Sequence, residues 1–194
     1  MGEPDENRAQ SGSGRLQLWL AEGPHGTETT GADSEDDPNI GYVCAMTDEE
    51  AIGLAIEQAK ASEAAGDIPI GAVVLIDGEV VAARHNERHI TGDPTAHAEI
   101  LALRDAAAHV GSWHLEDATL VVSLEPCTMC AGAAVNSRIG RIVFGAYDPK
   151  AGAVGTFYNI ADDPRLNHQC EVRGGVRGEE CGEMLTTFFA AQRG

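Results

Sequence analysis

Two short stretches of this chain hold residue types that could do chemistry together: His97-Ala98-Glu99 and Pro126-Cys127-Thr128-Met129-Cys130. Cysteines three apart at the start of a helix can aim both sulfurs at one point. A helix N-terminus carries partial positive charge and unpaired N–H groups, which favour the thiolate, the form that binds metal. His97 follows the turn-forming Asp93-Pro94-Thr95 and also falls at a helix start. With the two helix starts facing each other, one imidazole and two thiolates converge, a soft donor set that selects zinc in a tetrahedral arrangement.

The number of ligands decides what such a zinc does. A structural site is closed by four protein groups, whereas a catalytic site keeps one position for water and lowers that water's pKa towards ~7. Only His97, Cys127 and Cys130 are spaced as ligands; His85, His89, His109, His114 and His168 are not. Glu99, two residues after His97, need not point the same way, and a carboxylate beside the water can relay its proton to a leaving group. That equipment suits hydrolytic loss of an amine from an aromatic ring. The competing readings are a structural zinc, which lacks its fourth ligand, and packed thiols with a core histidine.

The elements that must position these residues follow from pattern. Thr47 with Glu50 forms a capping box, and Ile52, Ala55, Ile56 and Ala59 then recur at helical spacing. Residues 70–76 read as a buried strand, Asp77-Gly78 as a hairpin turn, and 79–84 as the strand pairing back. A polar loop spans 85–96. Helices are expected at 97–109, 127–136 and 179–190, and further strands at 119–124, 141–145 and 171–173. A hairpin followed by strands alternating with helices predicts an α/β fold, a mixed five-stranded sheet with helices on both faces.

Residues 1–45 differ in kind. They are rich in Gly, Ser, Thr, Pro and acids without an apolar period, which predicts a disordered acidic tail, with the catalytic domain at 46–194. The abrupt change at Met46 also fits translation starting there. No apolar run approaches the ~20 residues of a membrane helix, and no secretory signal is visible. The five cysteines are odd in number, with Cys44, Cys170 and Cys181 scattered. This is not a secreted disulfide framework, and the expected compartment is the reducing cytoplasm.

His-x-Glu followed by Pro-Cys-x-x-Cys is the signature of zinc-dependent nucleobase deaminases. The likeness extends through Ile-Pro-Ile-Gly-Ala-Val-Val at 68–74, Asp-Pro-Thr-Ala-His-Ala-Glu-Ile at 93–100, Leu-Glu-Pro-Cys-Thr-Met-Cys-Ala-Gly-Ala at 124–133 and Ser-Arg-Ile-Gly-Arg-Ile-Val-Phe-Gly-Ala at 137–146. Over these stretches the chain resembles the bacterial tRNA-specific adenosine deaminases of the cytidine/deoxycytidylate deaminase superfamily. The resemblance implies a three-layer α/β/α, cytidine-deaminase-like fold, a homodimer, and one Zn2+ per subunit on His97, Cys127 and Cys130. It implies that Glu99 shuttles the proton, that Asn86 lies in the base pocket, and that the backbone N–H of Ala98 orients the base. Phe188 and Phe189 match a pair near the RNA. The implied reaction is conversion of the wobble adenosine, in the tRNA anticodon loop, to inosine; deamination of a free guanine- or cytosine-type base or nucleoside is the alternative.

Charge stands against a nucleic-acid substrate, because the chain carries a formal −18 and bulk attraction to polyanions is missing. Residues 1–47 hold nine acids and two bases. From Arg138 to Arg177 the balance reverses, with six bases (Arg138, Arg141, Lys150, Arg165, Arg173, Arg177) against four acids. Some of these six are expected to contact phosphates.

Overall fold

The computed structural model describes residues 46–193, so the reading of 1–45 as a disordered tail lies outside the described residues. The chain enters through the expected capping box: Glu50 N–H donates to Thr47 Oγ1 at 3.2 Å, and Thr47 N–H donates to Glu50 Oε2 at 2.8 Å. Helix α1 (Asp48–Ala64) follows, with Ile52, Ala55, Ile56 and Ala59 all buried. Strands β1 (Gly71–Ile76) and β2 (Glu79–His85) form the hairpin. At its turn Asp77 and Gly78 both adopt positive φ, 52° and 80°, the backbone that matches the twist of a tight hairpin. Gly71 lies so close under α1 that a Cβ there would overlap the Ala55 carbonyl oxygen.

The remaining elements are α2 (Arg88–Thr91), α3 (Ala98–Val110), β3 (Ala118–Leu124), α4 (Thr128–Asn136), β4 (Arg141–Ala146), β5 (Glu171–Arg173) and α5 (Gly178–Ala191). The sheet order is β2-β1-β3-β4-β5. β1 pairs antiparallel with β2 and β3, whereas β3–β4 and β4–β5 are parallel, giving the mixed five-stranded sheet. Helix α2 interrupts the stretch expected to be loop; it is one turn long, buries no residue, and ends at Gly92 with φ 69°.

Strand alternation sorts the core into two layers. Ala72, Val74, Leu120, Val122, Ile142 and Phe144 face α3 and α4, packing on Ala102, Leu103, Ala131 and Ala134. Val73, Leu75, Val121 and Val143 face the other way, onto Ala51, Ile52 and Ile56 of α1 and Cys181 of α5. Helices therefore cover both faces, the three-layer arrangement. Each fully buried Val, Leu or Ile contributes roughly 1.5–3 kcal/mol relative to exposure, so the sheet is held rigid on both sides. The small Ala131 and Ala134 of α4 pack fully buried in this layer, and the first turn of α4 meets the start of α3.

Candidate metal and active site

Local chain geometry delivers the imidazole. After Gly92 ends α2, Asp93 Oδ1 accepts from Thr95 N–H and Thr95 Oγ1, both at 2.7 Å, a turn that Pro94 stiffens. His97 then takes an extended N-cap conformation (φ −76°, ψ 148°) before α3. Cys127 does the same before α4 (φ −73°, ψ 175°). Neither side chain caps its own helix, so both are free to face each other.

They meet with Cys130 in a tight triangle. Cys127 Sγ lies 3.8 Å from His97 Nδ1 and 3.7 Å from Cys130 Sγ, and Cys130 Sγ lies 3.5 Å from His97 Nδ1. Tetrahedral zinc with ordinary bond lengths requires about 3.8 Å between two sulfurs and about 3.6 Å between sulfur and nitrogen. The triangle fits that ion. Among the described residues no fourth His, Cys, Asp or Glu joins the cluster, as in a three-ligand site.

The electrostatics point the same way. The Cys130 thiol hydrogen bond, with help from His97 and the Cys130 backbone N–H, pushes Cys127 down to about 3 despite partial burial. Cys130 moves the opposite way, because it faces Cys127 and is buried. His97 is raised, chiefly by its contact with Cys127. Two thiolates this close repel, and a divalent cation is what lets both ionise.

Glu99 lies in the first turn of α3, 4 % exposed, and its Oε2 is buried with no hydrogen-bond partner among the described residues. Burial raises its pKa. With His97 and Cys127 it lines a cavity of roughly 410 Å³, within the range of small-ligand pockets. Ile68, Ile70, Leu124 and, from α5, Leu185 and Phe189 supply apolar walls. Phe188 packs edge-on to Phe189 and is only half-buried.

Asn86 and Ala98, both expected at the base pocket, contact each other. Neither lines the cavity. Asn86 is 1 % exposed, and its Oδ1 accepts the Ala98 N–H at 3.0 Å. The pair pins the first turn of α3, which carries Glu99, onto the end of β2.

The basic strip also changes. Arg141 pairs with Asp48 and Glu171 at 2.6 and 3.0 Å, and Arg173 pairs with Asp48 and Glu49. Arg177 pairs with Glu180 and Arg165 with Asp163. Arg138 donates to the Asn167 carbonyl at 2.5 Å. Of the six, Lys150 alone makes no side-chain ion pair or hydrogen bond among the described residues, and it lines the cavity. Two residues the sequence reading passed over also line it: Arg88, whose Nε is buried without a partner among the described residues, and Glu125, which is 2 % exposed. An acid between a buried strand and Pro126 was the one available signal for Glu125.

Comparison with known proteins places this geometry. The profile of the cytidine and deoxycytidylate deaminase zinc-binding region matches residues 45–146. The chain is 52% identical to the tRNA-specific adenosine deaminase of Bacillus subtilis (strain 168) over 139 residues, 72% of this chain and 86% of that protein. A structure solved in work on A-to-I editing by tRNA:A34 deaminases at the wobble position of transfer RNA superposes with a TM-score of 0.67 at 40% identity, covering 70% of this chain and 98% of that one. A guanine deaminase from Nitrosomonas europaea gives a TM-score of 0.62 at 27% identity, covering 73% and 84%. The three-donor triangle and the buried acid beside it thus belong to a zinc-binding deaminase fold, and this chain is a member of the tRNA-specific adenosine deaminase family.

Proposed function

We propose that this protein hydrolytically deaminates adenosine to inosine at the wobble position of tRNA, with one Zn2+ per subunit held by His97, Cys127 and Cys130. The observation that carries the reading is Glu99 Oε2: a buried carboxylate oxygen without a partner among the described residues, on the wall of the cavity that His97 and Cys127 also line. Zinc, when bound, supplies Lewis acidity that lowers the pKa of water towards ~7, so a nucleophile able to add to an aromatic ring exists at neutral pH. Glu99 takes the proton released as water adds to the amine-bearing ring carbon and delivers it to the adjacent ring nitrogen. It then moves a proton to the exocyclic amine, which leaves as ammonia. Its raised pKa suits a group that must hold a proton between those transfers.

The cavity's apolar walls exclude water and enclose one base, so the target must leave its stack, which is easiest in an anticodon loop. Asn86 acts behind the wall by fixing the start of α3. Lys150 and Arg88 are the cations placed to meet flanking phosphates. A tRNA substrate and the buried, unpaired thiols Cys170 and Cys181 suit the cytoplasm; among the described residues no helix is long and apolar enough to cross a membrane. The subunit works as a homodimer, and the exposed Phe157 and Tyr158 offer apolar surface to it.

Incubation with total tRNA, followed by inosine mapping, tests the reading. Inosine at the wobble position is expected, with no ammonia from free guanine or nucleosides. The similarity to a guanine deaminase favours a free base as the second reading; ammonia release from guanine with unchanged tRNA would establish it instead.

A further inference from the structure

Glu125 closes β3 and precedes Pro126 and Cys127, yet nothing in the deamination chemistry uses it. Its carboxylate is 2 % exposed and has no cationic partner among the described residues. Burying a charge this way is costly unless hydrogen bonds replace water. Here four do. Oε2 accepts from the Asp148 N–H at 3.0 Å and from the Thr156 hydroxyl, and Oε1 accepts from the N–H groups of Val154 and Thr156 at 3.2 and 2.9 Å. Three of the four donors are backbone groups from one segment, residues 148–156, so that segment is wrapped around a single side chain.

The wrapping is close and reinforced. A Cβ on Gly152 would overlap Glu125 Oε2, so the chain passes over the carboxylate only as glycine. The Ala153 N–H donates to the Pro126 carbonyl at 2.9 Å, and Cys127 forms an isolated bridge with Gly152. The same segment, from Tyr147 through Ala151, is one wall of the cavity, and it carries Lys150. One carboxylate therefore joins the strand end that presents Cys127 to the loop that faces the substrate.

We infer that Glu125 is a positioning residue for deamination, strapping the 147–156 loop to the end of β3 and so setting the wall against which the tRNA nucleotide lies. The inference rests on the proposed tRNA function. Its test is Glu125→Gln, which keeps the shape but turns an N–H donor towards donors that need an acceptor. Amide exchange at Asp148, Val154 and Thr156 is expected to rise about tenfold or more. The KM for an anticodon stem-loop should rise about tenfold with a smaller change in kcat, while zinc stays at one per chain. Should Glu125→Gln fail to fold, Thr156→Val removes the hydroxyl donor alone and should shift exchange and KM in the same direction by less.

Unchanged exchange at the three amides overturns the strap. Raised exchange with unchanged KM overturns its role in positioning substrate, as does a loss of activity proportional to lost zinc with KM preserved. Exchange needs no substrate, so a wild-type protein that ignores the stem-loop counts against the tRNA reading, while the strap is still decided by the amides.

Discussion

Glu99 and Glu125 are buried acids lining one cavity, and the protein treats them in opposite ways. At the start of α3, Glu99 keeps one oxygen without a partner among the described residues. At the end of β3, Glu125 has both oxygens filled by four donors from a single loop. An unpaired buried polar atom costs folding energy, and a fully satisfied one rigidifies its surroundings. In the proposed function the contrast separates a group kept available for proton transfer from a group that sets shape. The same contrast divides the cavity into a floor made of helix starts and a wall made of loop.

The sharpest way to break the floor is Cys127→Ala. It should abolish stoichiometric zinc and lower stability by at least ~2 kcal/mol, since a ligand set that folds around a metal contributes its binding energy to folding. Metal analysis and urea unfolding read both. Zinc retained at one per chain in that variant would remove Cys127 from the ligand set.

A smaller effect is expected far from the cavity. Asp48 is 12 % exposed and receives Arg141 and Arg173, tying α1 to β4 and β5. Asp48→Ala should cost about 1–2 kcal/mol while leaving activity per folded molecule unchanged. The Arg141 hydrogen bond holds the Asp48 carboxyl below its usual range. A carboxylate depressed on folding contributes fully above its unfolded pKa of about 3.9 and loses that contribution as pH falls through the folded value. The gap between wild type and Asp48→Ala in urea midpoint should therefore be full at pH 7 and shrink as the buffer is taken below about pH 4.

The smallest effect belongs to the wall. Lys150→Gln should weaken tRNA binding a few-fold and reduce the slope of log K against log salt by about 0.7–1, the signature of one lost phosphate contact. Arg141→Gln, whose guanidinium is already paired with acids, should leave the slope unchanged. A slope that answers to Arg141 and ignores Lys150 would return the phosphate contacts to the strip that the ion pairs appropriate.

What the sequence disclosed follows the same division. The floor was legible because its chemistry resides in letters: His97, Cys127 and Cys130 have the spacing of ligands, and Glu99 follows two residues after His97. The sheet was legible because the capping box at Thr47 and the Asp77-Gly78 turn are local rules. The wall was not, because Glu125 is held by backbone N–H groups that every residue has. Helix α2 was missed because one turn without a buried residue leaves no periodicity to find. Part of the ion pairing of the basic strip was hidden because Asp48 and Glu49, the partners of Arg141 and Arg173, lie roughly a hundred residues earlier in the chain and only the fold brings them together. The bond between the Ala98 N–H and Asn86 was hidden for a related reason: no count of donors along the chain reveals it.

The central claim is that three ligands hold the metal while Glu99 alone moves the proton. Zinc content and inosine formation, measured on one preparation of Glu99→Gln, test it most directly. One zinc per chain with turnover reduced by about 10³-fold or more is the expected result. Turnover within about tenfold of wild type at full zinc occupancy would contradict it.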